Sequence, residues 1–276
     1  MTAAPETGSL RIARRHPVPD GTLTWEPGER HVRGVKNGVT IVDTYRLIYV
    51  WEPGEVVPRY AFHRDDVRTD LLRPAAAPEI GERAGAREFY DLVVAGETVA
   101  NIAWAYPAEE LSGYLAFTWF RQWDRSLDHW YEEEEEIVTH PRDPYKRVDA
   151  LTSTRHVRVE IDGVLVAETR RPVTLFETRL PIRYYIPRED VRLDLFTPTD
   201  HHSTCPYKGT AEYWDYTAAG PDLPPNVLWS YPDPLPAQQN IRGLVAFYNE
   251  VVDITVDGVR LERPVTLFNK VLKQGS

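Results

Sequence analysis

The sequence predicts an all-β chain with minor helix, arranged as two tandem domains of one kind. Short runs with apolar residues at alternate positions recur along the chain, and no segment sustains three turns of helical periodicity. Asn37-Gly38, Asp162-Gly163 and Asp257-Gly258 each join two such runs. That pairing is the strongest short-range hairpin signal, because both residues tolerate the positive φ of a tight turn. The order of motifs also repeats once along the chain, which makes the architecture a duplication.

The N-terminus, Met1 to Arg15, has no apolar core segment of a secretory leader, and no run approaches the roughly 18 apolar residues that span a membrane. A cytoplasmic location is expected. Residues 1–29 are read as an N-terminal extension.

The first repeat, residues 30–140, opens on His31-Val-Arg33, Asn37-Gly-Val39 and Thr44. The second, 156–276, opens on His156-Val-Arg158, Asp162-Gly-Val164 and Thr169. Arg59 to Leu71 then aligns with Arg183 to Leu195, with eight of thirteen positions identical. Glu88-Phe-Tyr-Asp91 falls on Glu212-Tyr-Trp-Asp215, Trp104-Ala-Tyr-Pro107 on Trp229-Ser-Tyr-Pro232, and Gly113 to Phe117 on Gly243 to Phe247. Between the repeats, residues 141–155 read as a linker punctuated by proline. The run Glu132 to Glu136 reads as a solvated strand end or loop at the domain edge.

Pro187-Arg-Glu-Asp190 suits one helical turn, since proline fits the first position and acids favour the N-terminal end. Val191, Leu193 and Leu195 alternate and predict a strand, and Gly243 to Tyr248 predicts a buried one. A smaller echo, Val256-Asp-Gly-Val259 leading to Arg263-Pro-Val-Thr-Leu-Phe268, repeats Ile161-Asp-Gly-Val164 and Arg171 to Phe176. It predicts a third hairpin that completes a sheet, with the first domain's as the expected one.

Four motifs in order, Arg183-Tyr-Tyr-Ile-Pro187, Thr204-Cys-Pro-Tyr-Lys-Gly209, Trp229-Ser-Tyr-Pro-Asp-Pro234 and Val245-Ala-Phe-Tyr248, resemble the signature of the DUF427 family. The resemblance covers nearly all of the second repeat, and the first as a weaker variant. It implies a β-tent fold. Many tent proteins carry a zinc held by two Cys-x-x-Cys pairs; this chain has one cysteine, so that zinc is not expected. The family has also carried a nucleotidyltransferase label. Such chemistry needs a Gly-Ser turn and paired aspartates for magnesium. The sequence has no Asp-x-Asp, and its two Gly-Ser pairs lie at the chain ends.

A formal net charge of −10 disfavours a nucleic-acid partner, whose phosphates call for a basic stripe. No nucleic acid or membrane partner and no cofactor are expected, and the two repeats are expected to pack on each other.

Chemistry is expected in the second repeat. Thr204-Cys-Pro-Tyr-Lys-Gly209 aligns with Ile80-Gly-Glu-Arg-Ala-Gly85, where only the last glycine survives. Residues needed only for folding would persist in both copies. Cys205 and Lys208 are the catalytic candidates, because a nearby cation turns a thiol into a nucleophile. His201 and His202 lie just upstream; with Cys205 they make three ligand types in five residues and no evident fourth, so no metal is expected.

Tyr185, His202, Tyr207, Trp214 and Trp229 are the ligand-binding candidates. Tyr185 and Trp214 replace Ala61 and Tyr90, which favours a pocket role, whereas Trp229 recurs as Trp104, which also suits core packing. The expected function is a binding module for a small molecule or peptide with an aromatic-lined pocket. The alternatives are a thiol-dependent enzyme built on Cys205, of redox or transferase type, and an interaction protein without a ligand.

Overall fold

The computed structural model describes residues 23–53, 57–77, 88–119, 126–137, 139–217, 223–266 and 268–269. The expected extension, up to residue 22, and the Ile80–Gly85 counterpart of the Cys205 turn lie outside them. The chain divides into two compact units between Tyr145 and Lys146.

The first unit contains β1 (Thr24–Pro27), β2 (Val32–Lys36), β3 (Val39–Thr44), β4 (Ile48–Trp51), β5 (Arg59–His63), β6 (Leu72–Ala75), β7 (Glu88–Val94), β8 (Glu97–Ala105), β9 (Tyr114–Phe117), β10 (His129–Glu132) and β11 (Glu135–Glu136). They form an antiparallel seven-stranded sheet, β1-β4-β5-β9-β8-β7-β6, and a four-stranded one, β11-β10-β2-β3.

The second unit contains β12 (Val148–Thr152), β13 (Val157–Ile161), β14 (Val164–Thr169), β15 (Val173–Glu177), β16 (Arg183–Tyr185), β17 (Phe196–Cys205), β18 (Gly209–Tyr216), β19 (Leu228–Ser230), β20 (Val245–Phe247), β21 (Asp253–Val256) and β22 (Val259–Arg260). Sheets β12-β15-β16 and β17-β18-β19-β20 are joined by an Ile186–Val245 bridge, and β14-β13-β21-β22 forms the third. With that bridge the path is β12-β15-β16-β20-β19-β18-β17, the same order as in the first unit. The duplication therefore holds for topology as well as for sequence.

The third hairpin corrects an expectation. β21 pairs with β13, Val157 opposite Val256, so the hairpin completes the second unit's own sheet. Its counterpart is β10 against β2 in the first unit. β1 and β12 lie ahead of the repeat starts at 30 and 156, and β12 falls within the stretch read as linker.

Two local readings change as well. Arg188–Asp190 is the expected short turn, but Leu193–Leu195 is a second 3-10 turn rather than a strand, with β17 starting only at Phe196. Within the acidic run, Glu132 is buried and accepts from Tyr60 Oη (2.8 Å) and Arg30 Nη1 (2.7 Å). A buried carboxylate with two charge- or hydroxyl-donors is a structural member, not a solvated one. Glu133 and Glu134 form the exposed turn.

Alternation along the strands gives each longer sheet two apolar faces. In the second unit one face, with Tyr184, Phe196, Leu228 and Phe247, meets Val157, Val159 and Ile161 of the smaller sheet. The opposite face carries Leu175, Tyr185, Tyr213, Trp229, Tyr231 and Ala246. The first unit repeats this plan: Ile48, Val50, Ala61, Trp104, Tyr106 and Ala116 form its outer cluster.

Many recurring residues prove to be framework. Thr44 and Arg46 hold Asp66 as Thr169 and Arg171 hold Asp190. Asp91 accepts the Asn101 amide (2.7 Å) and Asp215 the Asn226 amide (2.6 Å). Both asparagines have positive φ, 53° and 62°, a conformation asparagine tolerates better than most residues. Arg68–Asp70 and Arg192–Asp194 are matching surface pairs.

Candidate functional site

The outer face of the second unit's long sheet brings together charges that the first unit arranges differently. Arg46-x5-Glu52 aligns with Arg171-x5-Glu177, so Glu52 and Glu177 leave equivalent strands at equivalent places. Arg59 and Arg183 are equivalent as well. In the first unit the two partners meet: Arg59 Nε lies 3.4 Å from Glu52, which also accepts from Tyr106 Oη (2.7 Å) and Trp104 Nε1 (3.3 Å). In the second unit each takes another partner. Arg183 makes a two-pronged pair with Glu250, 2.7 Å on each side, and donates to Asn249. Glu177 is held by Lys208 and by Lys146 (3.1 Å).

Lys208 reaches Glu177 because of the β17–β18 hairpin. Cys205 pairs with Gly209, and the turn between them swings the lysine under the sheet's outer face. Gly209 has φ +104°, and a Cβ there would stand 3.2 Å from the Asp233 carbonyl oxygen. The glycine thus serves the close approach of the Asp233–Leu235 backbone, sealed by Leu235 N donating to Lys208 O at 3.0 Å.

Both ends of the pair are buried, the Lys208 side chain 9% and the Glu177 side chain 7% exposed. Burial disfavours both charges, but their attraction prevails. For Lys208, burial opposes the charge, yet Cys205, Glu177 and Tyr185 together hold the ammonium above the ordinary lysine range. For Glu177, burial is again the opposing effect, and Lys208 and Lys146 hold the carboxyl below its ordinary range.

Phenols surround the pair. Burial pushes Tyr185 up to about 12, against the pull of Lys208 and the indole hydrogen bond from Trp229 Nε1 at 3.1 Å. Burial, with Tyr185 and Cys205 adding to it, raises Tyr231 well above the tyrosine range. Tyr213 bonds Ser203 Oγ at 2.6 Å, and the Tyr248 ring lies 4.5 Å from that of Trp229. Arg183 sits 5.6 Å from the ring centres of Trp229, Tyr248 and Phe268.

Of the candidates read from sequence, the structure brings Cys205, Lys208, Tyr185 and Trp229 onto this one face. Cys205 is partly exposed and packs against the cluster's edge. Tyr207 is partly exposed near it, with Lys146 Nζ 6.0 Å from its ring centre.

Trp214 and His202 are placed elsewhere, for one reason: adjacent residues of a strand point to opposite faces. Trp214 follows Tyr213 and packs toward the inner core, where Arg188 covers its ring at 4.9 Å. Arg64 over Tyr90 at 5.6 Å is the same arrangement in the first unit, so Trp214 belongs to the shared framework. His202 precedes Ser203, is exposed, and turns its Nδ1 to the Asp200 carbonyl at 3.0 Å.

Sequence reasoning missed Glu177, Lys146, Tyr213 and Glu250. The recurrence of Arg-x5-Glu could have marked Glu177. Among the described residues, no group of three or more His, Cys, Asp or Glu side chains is placed to hold a metal ion. None of their helices is long and apolar enough to cross a membrane.

Fold and site together define a tandem all-β protein whose two copies share one scaffold and differ in the wiring of a buried carboxylate. The chain belongs to the family described as domain of unknown function (DUF427), whose profile matches residues 24–133 and 149–258. No curated protein matches the chain.

Proposed function

We propose that the chain is a small-molecule binding module whose ligand site is the Cys205, Lys208, Glu177 and Tyr185 cluster of the second unit, with the first unit as its scaffold copy. One observation carries this reading. The two copies place the same carboxylate at the same point of the same sheet. The first closes it with its own arginine and two neutral donors, while the second separates carboxylate from arginine and introduces a buried lysine at a partly exposed edge.

Such rewiring is costly to keep. A buried ion pair is rarely worth more to stability than the packed residues that could replace it. The cluster therefore fits a recognition role, with aromatic walls for a flat body and charged groups that orient it.

The test is a thermal-shift panel of small acids, amides and amines on the full chain, read together with the rate of Cys205 alkylation by iodoacetamide. The proposal expects a compound that raises the melting temperature, slows alkylation and loses both effects in Lys208→Met. Stabilisation with no protection of Cys205 places the site elsewhere and refutes it.

The placement of Lys208 beside Cys205 favours a second reading, a thiol-dependent enzyme with Cys205 as nucleophile. On that reading Lys208→Met slows alkylation roughly ten-fold or more, because a neighbouring ammonium is what activates the sulfur. An unchanged rate removes it.

A further inference from the structure

The charge balance of the same cluster identifies the kind of molecule it suits, an inference that rests on the binding reading above. Two ammonium groups, Lys146 and Lys208, face a single carboxylate, Glu177. Two neighbouring ionic pairs, Arg147 with Asp149 and Arg183 with Glu250, are each balanced within themselves, and Glu250 also takes the Thr266 hydroxyl at 2.7 Å. The phenols that line the cluster are held in their neutral form by burial. Within the group of Lys146, Lys208 and Glu177, one positive charge is in excess.

Hydrogen-bond supply points the same way. An ammonium has three donors. Lys146 spends two, on Glu177 and on the Thr178 carbonyl at 2.9 Å. Lys208 has a single hydrogen-bond acceptor among the described residues, Glu177. Two of its three donors therefore have no acceptor among the described residues. A buried charged donor without its full set of acceptors is expensive, so an incoming acceptor with a negative charge gains both terms at once.

We infer that the second unit binds a small organic monoanion, a carboxylate on a flat aromatic or conjugated body, with the carboxylate on Lys208 and the body against the partly exposed ring of Tyr207. A cation would meet two ammonium groups. A dianion would overshoot the single excess charge and leave a buried negative one. The partly exposed edge formed by Cys205, Tyr207 and Lys146 is the side from which the acid enters.

Isothermal titration of the full chain with benzoate, benzamide and benzylamine tests the class, since the three share a ring and differ in charge. Benzoate is expected to bind at least roughly ten-fold tighter than benzamide, the effect of one charge-assisted hydrogen bond. That preference should vanish in Lys208→Met and shrink in Lys146→Met, a partly exposed position that leaves the Lys208–Glu177 pair in place. Circular dichroism of each variant confirms that it folds. Benzamide or benzylamine binding as well as benzoate, with Cys205 protected from alkylation, overturns the acid class and leaves the binding module standing. Benzoate affinity unchanged by Lys208→Met overturns the assignment of the carboxylate. If none of the three probes binds, the acid class fails; if the wider panel is also silent, the binding reading fails with it.

Discussion

Glu177→Gln is the substitution that interrogates the rewired cluster most directly. It leaves two ammonium groups facing each other across a neutral amide. Lys146 is 18% exposed and can turn its head to water, but Lys208 cannot without breaking the turn that carries it. Breaking a buried pair by removing one partner costs about 3–5 kcal/mol. Deprotonation of Lys208 sets a ceiling on that loss. Lys208 can escape by releasing its proton, and bringing a lysine from about 10.4 down to pH 7 costs about 4.6 kcal/mol at about 1.36 per unit. The expected loss is therefore about 3 to 4.6 kcal/mol, confined to the second unit.

With a urea dependence of about 2 kcal/mol per molar, the unfolding midpoint falls by about 1.5–2.3 M, read by tryptophan fluorescence. Adding Lys208→Met to Glu177→Gln removes the stranded ammonium and should restore at least half of the loss. The pH dependence carries a sign. The Glu177 carboxyl is depressed in the fold, so its contribution is complete above the ordinary value of 4.5 and fades as pH falls through the depressed one. Lys208 is raised, so its contribution is complete below 10.5 and fades as pH climbs through the raised value. Between those limits the pair contributes fully, and Glu177→Gln should flatten the acid limb. A midpoint shift below about 0.5 M, or a double variant as unstable as the single one, would falsify the claim that the pair is a buried unit.

Two further outcomes follow from the shared and unshared parts of the scaffold. Asp91→Ala and Asp215→Ala each strand a backbone amide on a positive-φ asparagine, so each should cost about 1–2 kcal/mol, and denaturant titration should show comparable losses in the two units. Phe268→Leu keeps apolar bulk but removes one of the three rings around Arg183, and should cost about 0.5–1 kcal/mol in the same assay; no change would mean that this ring adds nothing to the charge.

Legibility in the sequence follows the range of the interaction. The hairpins were readable because Asn37-Gly38, Asp162-Gly163 and Asp257-Gly258 act within four residues. The duplication was readable because Arg59–Leu71 and Arg183–Leu195 preserve the same local bonds in both copies. The sheet that receives the third hairpin was not readable, since β21 pairs with β13 across nearly a hundred residues and either repeat offers a similar edge. Leu193 and Leu195 alternate like strand residues, but the bond from Leu195 N to Arg192 O closes a turn. Trp214 could have been separated from Tyr185 by applying strand alternation to Tyr213. The Glu177–Lys208 pair, 31 positions apart, depends on how the β17–β18 turn folds over the sheet, which no local pattern encodes.

The rewiring has a physical order that explains why Tyr185 and Lys208 occur together. With Ala61 at the β5 position, the first unit leaves room for Arg59, Trp104 and Tyr106 to converge on Glu52. Placing a phenol there, as Tyr185 does, fills that space and takes the Trp229 indole for itself. Glu177 then loses the donor that Trp104 provides to Glu52, and Arg183 is drawn to Glu250 and Asn249 instead. A buried carboxylate without donors is costly and would take up a proton; a cation reaching it from outside the strand pair keeps it charged, and the Cys205–Gly209 turn supplies one. On this argument Lys208 in a chain that also carried alanine at 185 would compete with Arg183 for the same carboxylate. Tyr185→Ala should therefore pull Arg183 back toward Glu177 and release Lys208.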